Sequence, residues 1–265
     1  MTTYYKVGKI LVDAGKHYGE SIIKNYSIKL ISEVNKKYNT TNLKRIRQFY
    51  LKIEKGATLW HQLSWSHYKL LITLKSIEEI NYYGMLAVEK AYSVRQLEKS
   101  IKSKEYERLP EKTKTKLIKN KDSKIEDYVK NPIIIKSSNN YEEISEKVLQ
   151  KLVLDDISSF LKELGSGFTF IDNEYKIMLG SRPNYIDLLL FNYEYNCFVV
   201  IELKVTELKK EHIGQIEIYM NYIDNNIRNI NHNKTIGIII CKKENKYVIE
   251  YCSDKRIISR EYLLI

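Results

Sequence analysis

Three residues in the C-terminal half of the chain, two carboxylates and a lysine, have types and a spacing that could bind a divalent cation. Asp187 lies in the apolar run YIDLLLFNY, and Glu202 and Lys204 lie in the next run, CFVVIELKV. Because side chains alternate along a strand, Glu202 and Lys204 share one face. The turn-like residues 192–196 between the runs predict an antiparallel hairpin, which brings Asp187 beside Glu202.

Two adjacent carboxylates repel each other unless a divalent cation lies between them, and Mg²⁺ prefers hard oxygen ligands of this kind. We therefore expect Asp187 and Glu202 to bind Mg²⁺ or Mn²⁺, which supplies Lewis acidity and lowers the pKa of a bound water. Lys204 would orient that water or neutralise charge in the transition state. The alternative is a structural ion pair between two buried strands, because a buried carboxylate needs a partner.

The elements around these residues predict an α/β domain over residues 141–265. An amphipathic helix over residues 142–165 is followed by strand-like runs, namely FTFID, YKIMLG, YIDLLLFNY, CFVVIELKV, TIGIIICK and YVIEYC. One further helix, HIGQIEIYMNYIDNNIRNI, interrupts these runs after CFVVIELKV. This order of elements is typical of a mixed sheet that is covered by helices.

Residues 1–110 predict an all-α domain of the helix-turn-helix type. Apolar residues recur there at helical spacing, and a short turn at residues 38–41 precedes a basic helix over residues 42–53. A helix, a short turn and a basic helix are typical of a DNA reader. The residues that we expect to contact DNA are Lys44, Arg45, Arg47, Gln48 and Lys52. The alternative for this helix is a solvated basic face.

The distribution of charge agrees with this division of the chain. Residues 1–140 hold 28 Lys/Arg against 14 Asp/Glu, whereas residues 141–265 hold 16 against 19. A basic region beside a carboxylate-rich one is what a phosphate-binding module next to a metal site requires. Residues 111–140 are rich in lysine and weakly periodic, so we expect a linker between the two domains there.

Composition and cysteine usage narrow the class of protein. Hydrophobic residues make up 43% of the chain and charged residues 29%, which is typical of a globular protein. No window approaches the ~20 apolar residues of a membrane span, and charges interrupt the N-terminus where a signal peptide would be apolar. Three cysteines without C-x-x-C spacing predict reduced thiols, so we expect a cytoplasmic protein with no membrane partner.

The chain resembles the YhcG family of bacterial PD-(D/E)xK nucleases in a long C-terminal stretch, FLKELGSGFTFIDNEYKIMLGSRPNYIDLLLFNYEYNCFVVIELKVTELKKEHIGQIEIYMNYID. It also resembles the N-terminal part of that family in the blocks YYKVGKILV, NLKRIRQFY, LSWSHYKLLI and SVRQLEKSI. The resemblance implies a helical, DNA-binding-like domain and a restriction-endonuclease-like domain with a metal-dependent phosphodiesterase site. It further implies a DNA substrate and an association with restriction or DNA-processing systems.

The resemblance also assigns roles to individual residues. It implies that Asp187 and Glu202 are metal ligands and that Lys204 is the catalytic lysine. It adds Gln215 as an auxiliary residue near the scissile phosphate, and Glu163 as an acidic residue contributed by the first helix of the domain. For Glu163 the alternative is a solvated helix carboxylate. The chain departs from the family pattern in one respect, because no proline directly precedes Asp187.

Together these observations predict a metal-dependent DNA endonuclease that acts on duplex or branched DNA in DNA processing, restriction or defence. Cleavage of both strands by this fold usually needs two sites, so we expect a homodimer, together with partner proteins from such systems. The main alternative is a non-catalytic DNA-binding or assembly subunit that uses the nuclease fold as a scaffold. A second alternative is an RNA endonuclease, because the fold does not distinguish the sugar.

Overall fold

The structure is a computed structural model that describes residues 1–18, 21–111, 113–114, 125–137, 141 and 143–265. The chain forms two compact units, Met1–Glu107 and Arg108–Ile265, which are divided next to the border predicted at residue 110. The first unit holds 19 Lys/Arg against 10 Asp/Glu, and the second holds 25 against 23. Most of the net positive charge therefore belongs to the first unit.

The first unit is helical, as the spacing of its apolar residues predicts. Its helices are α1 (Thr2–Tyr18), α2 (Ser21–Glu33), α3 (Thr40–Glu54), α4 (Trp65–Leu71), α5 (Ile77–Glu89) and α6 (Val94–Lys102), with a 3₁₀ turn at Lys36–Tyr38. Helix α3 begins before the predicted residue 42 because Asn39 caps it and accepts the Asn42 N–H at 2.9 Å. The buried face of α3 is formed by Leu43, Ile46, Phe49 and Tyr50.

Within the described residues, the second unit is built on a sheet of six strands that helices cover. The strands are β1 (Ile133–Ile135), β2 (Phe168–Leu179), β3 (Arg182–Asn192), β4 (Cys197–Glu207), β5 (Ile236–Lys243) and β6 (Ile257–Leu264). The helices are α7 (Ile125–Tyr128), α8 (Glu146–Asp155), α9 (Ile157–Leu164), α10 (Lys210–Asn226) and α11 (Lys246–Glu250). The strand order is β1-β6-β5-β4-β3-β2.

The sheet is mixed, which confirms the predicted α/β fold. Strands β2, β3 and β4 pair antiparallel, whereas β4, β5, β6 and β1 pair parallel. Strand β4 is buried on both faces: Val199, Ile201 and Leu203 belong to the core shared with α8 and α9, and Val200 to the core shared with α10. A strand covered on both sides needs a continuous apolar run, so Glu202 and Lys204 are exceptions that call for a reason.

Several predicted elements differ from those in the structure. FTFID and YKIMLG form the single strand β2, with an irregularity between Phe170 and Asp172. YVIEYC contains the short helix α11 instead of a strand, and the last strand is β6, over IISREYLL, which the apolar pattern did not indicate. The helix predicted over residues 142–165 is two helices, because Asp156 caps α9 by accepting the Ser159 N–H at 3.1 Å.

The described part of the predicted linker, residues 111–140, belongs to the second unit. It contains α7 and the edge strand β1, which pairs with β6 in the register Ile133↔Tyr262. The guanidinium of Arg260 also donates to the Val129 carbonyl at 2.8 Å. A strand of three residues is too short to show the two-residue alternation of a strand. The lysines around it therefore made this stretch resemble a linker. Other parts of this stretch, including residues 115–124 and 138–140, lie outside the described residues.

The three cysteines are free and buried, in agreement with the expected reduced thiols. Burial raises the pKa of Cys197 to about 11 and that of Cys241 to about 12, so both thiols are protonated at neutral pH. Among the described residues, we find no helix whose length and apolar character would allow it to cross a membrane.

Candidate active site

The hairpin predicted around the three candidate residues is present. Strands β3 and β4 pair antiparallel, and the register joins Leu188 to Ile201, so Asp187 lies opposite Glu202. At this point the Asp187 side chain replaces the regular backbone pairing, since its Oδ2 accepts the Leu203 N–H at 2.7 Å. The structure thus brings the two carboxylates to adjacent strands, as the spacing predicts.

Asp187 is held in place by both its side chain and its backbone. While Oδ2 accepts the N–H of Leu203, the backbone carbonyl accepts a hydrogen bond from Nε2 of Gln150, in α8, at 3.1 Å. Burial raises the pKa of Asp187, and the hydrogen bond from Leu203 partly opposes this. One carboxylate oxygen is therefore committed to the hairpin, and Oδ1 has no hydrogen bond to a described residue that would compete with a ligand.

Glu202 is the most unusual residue of the site, because its side chain is 1% exposed and only partly satisfied. Its Oε2 lies 3.2 Å from Nζ of Lys204, but Oε1 is buried without a hydrogen-bond partner in the described part of the chain. Burial and the charge of Asp187 raise the pKa of Glu202 to about 8. A buried acceptor without a donor costs about 1–3 kcal/mol, so this oxygen calls for a ligand.

Glu146 is a site residue that the pattern of the sequence did not indicate. It lies in the first turn of α8, and its Oε2 is 3.4 Å from Nζ of Lys204. Burial lowers the pKa of Lys204, but the carboxylates of Glu202, Glu146 and Asp187 outweigh burial and raise it. Lys204 is therefore a cation at neutral pH. Ser145 was the feature of the sequence that could have indicated Glu146. It caps α8 by accepting the Val148 N–H at 3.3 Å, which places the next residue, an acid, in the first turn of the helix.

Gln215 lies on α10 and is linked to the site through a tyrosine. Its Nε2 donates to Oη of Tyr219, one turn further on, at 3.1 Å. The Tyr219 side chain is buried, and burial raises the pKa of its hydroxyl. The hydrogen bond from Gln215 opposes this effect, while the charges of Glu202 and Asp187 add to it. Tyr219 is therefore within electrostatic reach of the two carboxylates, and Gln215 accompanies it.

Glu163, which was expected at the site, has its ion pairs elsewhere in the second unit. Its carboxylate pairs with the guanidinium of Arg108, lies 3.6 Å from Nζ of Lys130, and accepts the Ile134 N–H at 3.2 Å. Burial raises the pKa of Glu163, but these donors outweigh burial and lower it. Glu163 thus joins α9 to the segment that leads into β1, and its acceptor capacity is used there.

Two of the residues predicted to contact DNA donate hydrogen bonds to backbone carbonyls of the first unit. Nε2 of Gln48 donates to the Ile72 carbonyl at 2.8 Å. Nζ of Lys52 donates to the Leu74 carbonyl at 3.0 Å. These carbonyls follow the C-terminal end of α4, where backbone acceptors lack helical partners. Gln48 and Lys52 therefore connect α3 to the segment after α4, and DNA contact by these two residues stays a prediction.

The other three predicted DNA contacts differ in exposure. Lys44 and Arg45 are exposed on α3, so their charges are available to a ligand. Arg47 is half-buried, and its Nε has no hydrogen-bond partner among the residues that the structure describes. The accessible positive charge of α3 is thus concentrated near the beginning of the helix.

The donor set at the candidate site is compatible with a hard divalent cation. Within the described residues, no group of three or more His, Cys, Asp or Glu side chains is arranged to hold a metal ion by itself. Asp187 and Glu202 supply two carboxylates, and Mg²⁺ is usually bound through one or two carboxylates together with water and substrate phosphates. The buried Oε1 of Glu202, which lacks a donor, fits such a cation.

Glu202→Gln is expected to stabilise the metal-free protein at alkaline pH. The native state keeps a proton on Glu202 up to a pKa of about 8, whereas an unfolded glutamate loses it near its usual pKa of 4.5. Ionisation therefore destabilises the native state progressively as the pH rises between these values. We expect the glutamine variant to gain on the order of 3 kcal/mol at about pH 9 and almost nothing at about pH 4.

Urea unfolding of both proteins in EDTA across this pH range measures the difference. Glu211→Gln, at an exposed position of α10, is the matched control and should leave the pH dependence unchanged. A constant difference between Glu202→Gln and wild type at all pH values would contradict the raised pKa.

Comparisons with known proteins assign both halves of the chain to described families. The family profile of the YhcG PDDEXK nuclease domain matches residues 126–264, and that of the DUF1016 N-terminal domain matches residues 1–108. The chain is 22% identical to the protein named Putative nuclease YhcG from Escherichia coli (strain K12) over an alignment of 292 residues. This alignment covers 91% of the chain and 76% of the relative.

Solved structures with some similarity include two that are described as a repair endonuclease from Pyrococcus abyssi and as an EndoMS-dsDNA2 complex. The first structure is 20% identical to this chain with a TM-score of 0.33, and the match covers 47% of this chain and 49% of the chain in that structure. The second is 17% identical with a TM-score of 0.32, and it covers 48% of each chain. The chain thus spans about half the length of these structures, and the similarity is too low to bear on activity.

Proposed function

The chain belongs to the YhcG PDDEXK nuclease family, and from this premise we propose that it is a metal-dependent DNA endonuclease. The observation that carries the proposal is the meeting of Asp187, Glu202 and Lys204 at one end of the β3–β4 hairpin. There a buried carboxylate oxygen has no donor among the residues that the structure describes, and a lysine lies within 3.2 Å of the same carboxylate. A purely structural ion pair would satisfy both oxygens, so the free oxygen favours a ligand-binding site.

Asp187 and Glu202 would hold Mg²⁺ or Mn²⁺. A divalent ion at such a pair supplies Lewis acidity to a phosphoryl oxygen and lowers the pKa of a bound water. To act as a ligand, Glu202 must lose its proton, whose pKa in the metal-free protein is about 8. Asp187 stays in place through the Leu203 N–H, so the donor pair is preorganised by the hairpin.

Lys204 would act on the phosphate or on the attacking water. Carboxylate oxygens of Glu202 and Glu146 lie 3.2 and 3.4 Å from its ammonium nitrogen. This arrangement keeps the charge fixed, and a fixed cation stabilises the additional negative charge of a pentacovalent phosphate transition state. Glu146 would position Lys204 in this account. Gln215, which is hydrogen-bonded to Tyr219, would contact the substrate phosphate on the α10 side.

The charge of the chain favours a nucleic-acid substrate, and the nuclease family of the chain makes DNA the substrate that we propose. The first unit has an excess of nine basic residues, and Lys44 and Arg45 are exposed on α3. Phosphate neutralisation by such residues provides most of the affinity of proteins for duplex DNA without regard to sequence.

A homodimer follows from the need for two sites in double-strand cleavage. Its mass in light scattering, with and without DNA, tests it.

Cleavage of a panel of nucleic acids tests the proposed function. Supercoiled plasmid, linear duplex, branched DNA, single-stranded DNA and RNA are incubated with the purified protein in Mg²⁺, in Mn²⁺ and in EDTA. We expect cleavage of duplex or branched DNA with either metal ion and none in EDTA. Cleavage of RNA alone would assign the site to an RNA endonuclease. Binding of DNA without any metal-dependent cleavage would indicate the non-catalytic subunit.

A further inference from the structure

A pocket of about 510 Å³ in the first unit is lined by cations and by one aromatic pair. Its cations are Lys37, Arg45 and Lys69, and its aromatic side chains are Tyr4 and Trp65. The remaining lining residues are polar and uncharged, so no carboxylate faces the pocket. We call this cavity the Trp65 pocket.

The three cations of the Trp65 pocket are available to an anion. None of them has a salt bridge to any residue in the part of the chain that the structure describes. Lys37 and Arg45 are exposed, and Lys69 is half-buried. Three like charges that line one cavity repel each other, and an anionic ligand would relieve this repulsion.

The cations come from three different elements, which separates this pocket from an ordinary basic helix face. Lys37 lies in the 3₁₀ turn, Arg45 in α3 and Lys69 in α4. A solvated helix face would place its charges along one helix. The beginning of α3 is not the basis of the pocket, because Asn39 already caps that helix with its own side chain.

The aromatic wall of the pocket is rigid. Trp65 stacks on Tyr4 with ring centroids 4.5 Å apart, and Phe49 contacts it edge-on at 5.7 Å. Its Nε1 donates to Oδ1 of Asn42 at 3.0 Å, so the ring has both packing and a hydrogen bond. A preorganised wall reduces the entropy lost when a ligand binds.

We propose that the Trp65 pocket binds a phosphate group of the DNA backbone, with Lys37, Arg45 and Lys69 as its ligands. The proposal rests on the proposed function and specifies where the first unit holds the nucleic acid. It also explains the division of α3, in which Gln48 and Lys52 are used internally while Arg45 lines the pocket. Arginine forms forked hydrogen bonds with phosphate, and lysine adds charge without a fixed geometry.

Fluorescence anisotropy of a labelled DNA duplex in EDTA tests the pocket without any cleavage. We expect Arg45→Ala to weaken binding by about tenfold at low salt, because it removes a charged hydrogen bond to phosphate. The slope of log K against log salt is negative, and its magnitude should decrease by about 0.9 for each cation removed. In the triple alanine variant the decrease should be nearly three times that value. Arg95→Ala and Lys99→Ala, at exposed positions of α6, remove the same charges outside the pocket and should keep the wild-type slope.

Competition distinguishes the sources of the phosphate. A duplex without terminal phosphates should compete as well as one that carries a 5′-phosphate, and inorganic phosphate should compete only weakly. A requirement for the 5′-phosphate, or equal competition by inorganic phosphate, would overturn the assignment to the DNA backbone. Binding of an RNA duplex but not of a DNA duplex through these cations would overturn it as well.

Tryptophan fluorescence provides a readout at the pocket itself. The chain has two tryptophans, so Trp60→Phe leaves Trp65 as the single reporter. DNA should change its emission, and the Arg45→Ala exchange should shift that change to about tenfold higher DNA concentrations. Wild-type affinity and slope in the triple variant would overturn the proposal whether or not the protein cleaves DNA, so failure of the pocket and failure of the nuclease site remain distinguishable.

Discussion

Asp187→Asn is expected to lose at least about 10³-fold of the Mg²⁺-dependent DNA cleavage while its affinity for DNA in EDTA stays at the wild-type value. The amide keeps the size of the side chain and can still accept the Leu203 N–H. It removes the charge that a divalent cation needs, so the loss should fall on the chemical step. The unfolding free energy should not fall, since burial raises the pKa of Asp187 and the amide removes a charge that is costly to bury.

Single-turnover cleavage of a labelled duplex measures this loss, and Asp155→Asn, at an exposed position near the end of α8, is the matched control. Lys204→Ala should show a comparable loss of cleavage, because Lys204 supplies the fixed positive charge of the site. Binding of Mg²⁺ provides a second readout: the ion should raise the Tm of the wild-type protein but not that of Asp187→Asn. If metal-dependent cleavage survives in both variants, another group of residues carries the activity.

Glu163→Gln is expected to destabilise the protein by about 3–5 kcal/mol, the range for breaking a buried ion pair. The side chains of Arg108, Glu163 and Lys130 are 9%, 15% and 7% exposed, and neutralising the glutamate removes a buried carboxylate that pairs with both cations. Because Glu163 lies in this network, the cleavage rate of the folded variant should equal that of wild type. The two predictions thus separate a residue that acts in the chemistry from one that supports the fold.

Urea unfolding measures the loss of stability, and cleavage at low temperature, where the variant is folded, measures activity. Asp155→Asn again serves as a control for the exchange of an acid for its amide. A Glu163→Gln protein with wild-type stability and a hundredfold lower cleavage rate would place Glu163 in the active site after all.

The helices and most strands, and the residues that share a strand or a hairpin, could be predicted from the sequence alone. The alternation of side chains along β4 places Glu202 and Lys204 on one face, and the short turn after β3 brings Asp187 opposite. These relations depend on neighbouring residues and on the two-residue period of a strand, so they can be read directly. The helical period of the first unit and its excess of basic residues were readable for the same reason.

Tertiary structure decided which distant residues meet. Glu146 contacts Lys204, which lies 58 positions away in the chain, and Glu163 pairs with Arg108, which lies 55 positions away. No local period encodes such pairs, because they depend on how α8 and α9 pack against the sheet. Both acidic residues lie in helices that cover the sheet, yet packing directs one to the lysine of the site and the other to a structural ion pair. The same reason explains why the Asp187–Glu202–Lys204 group was predicted and its supporting residue was not.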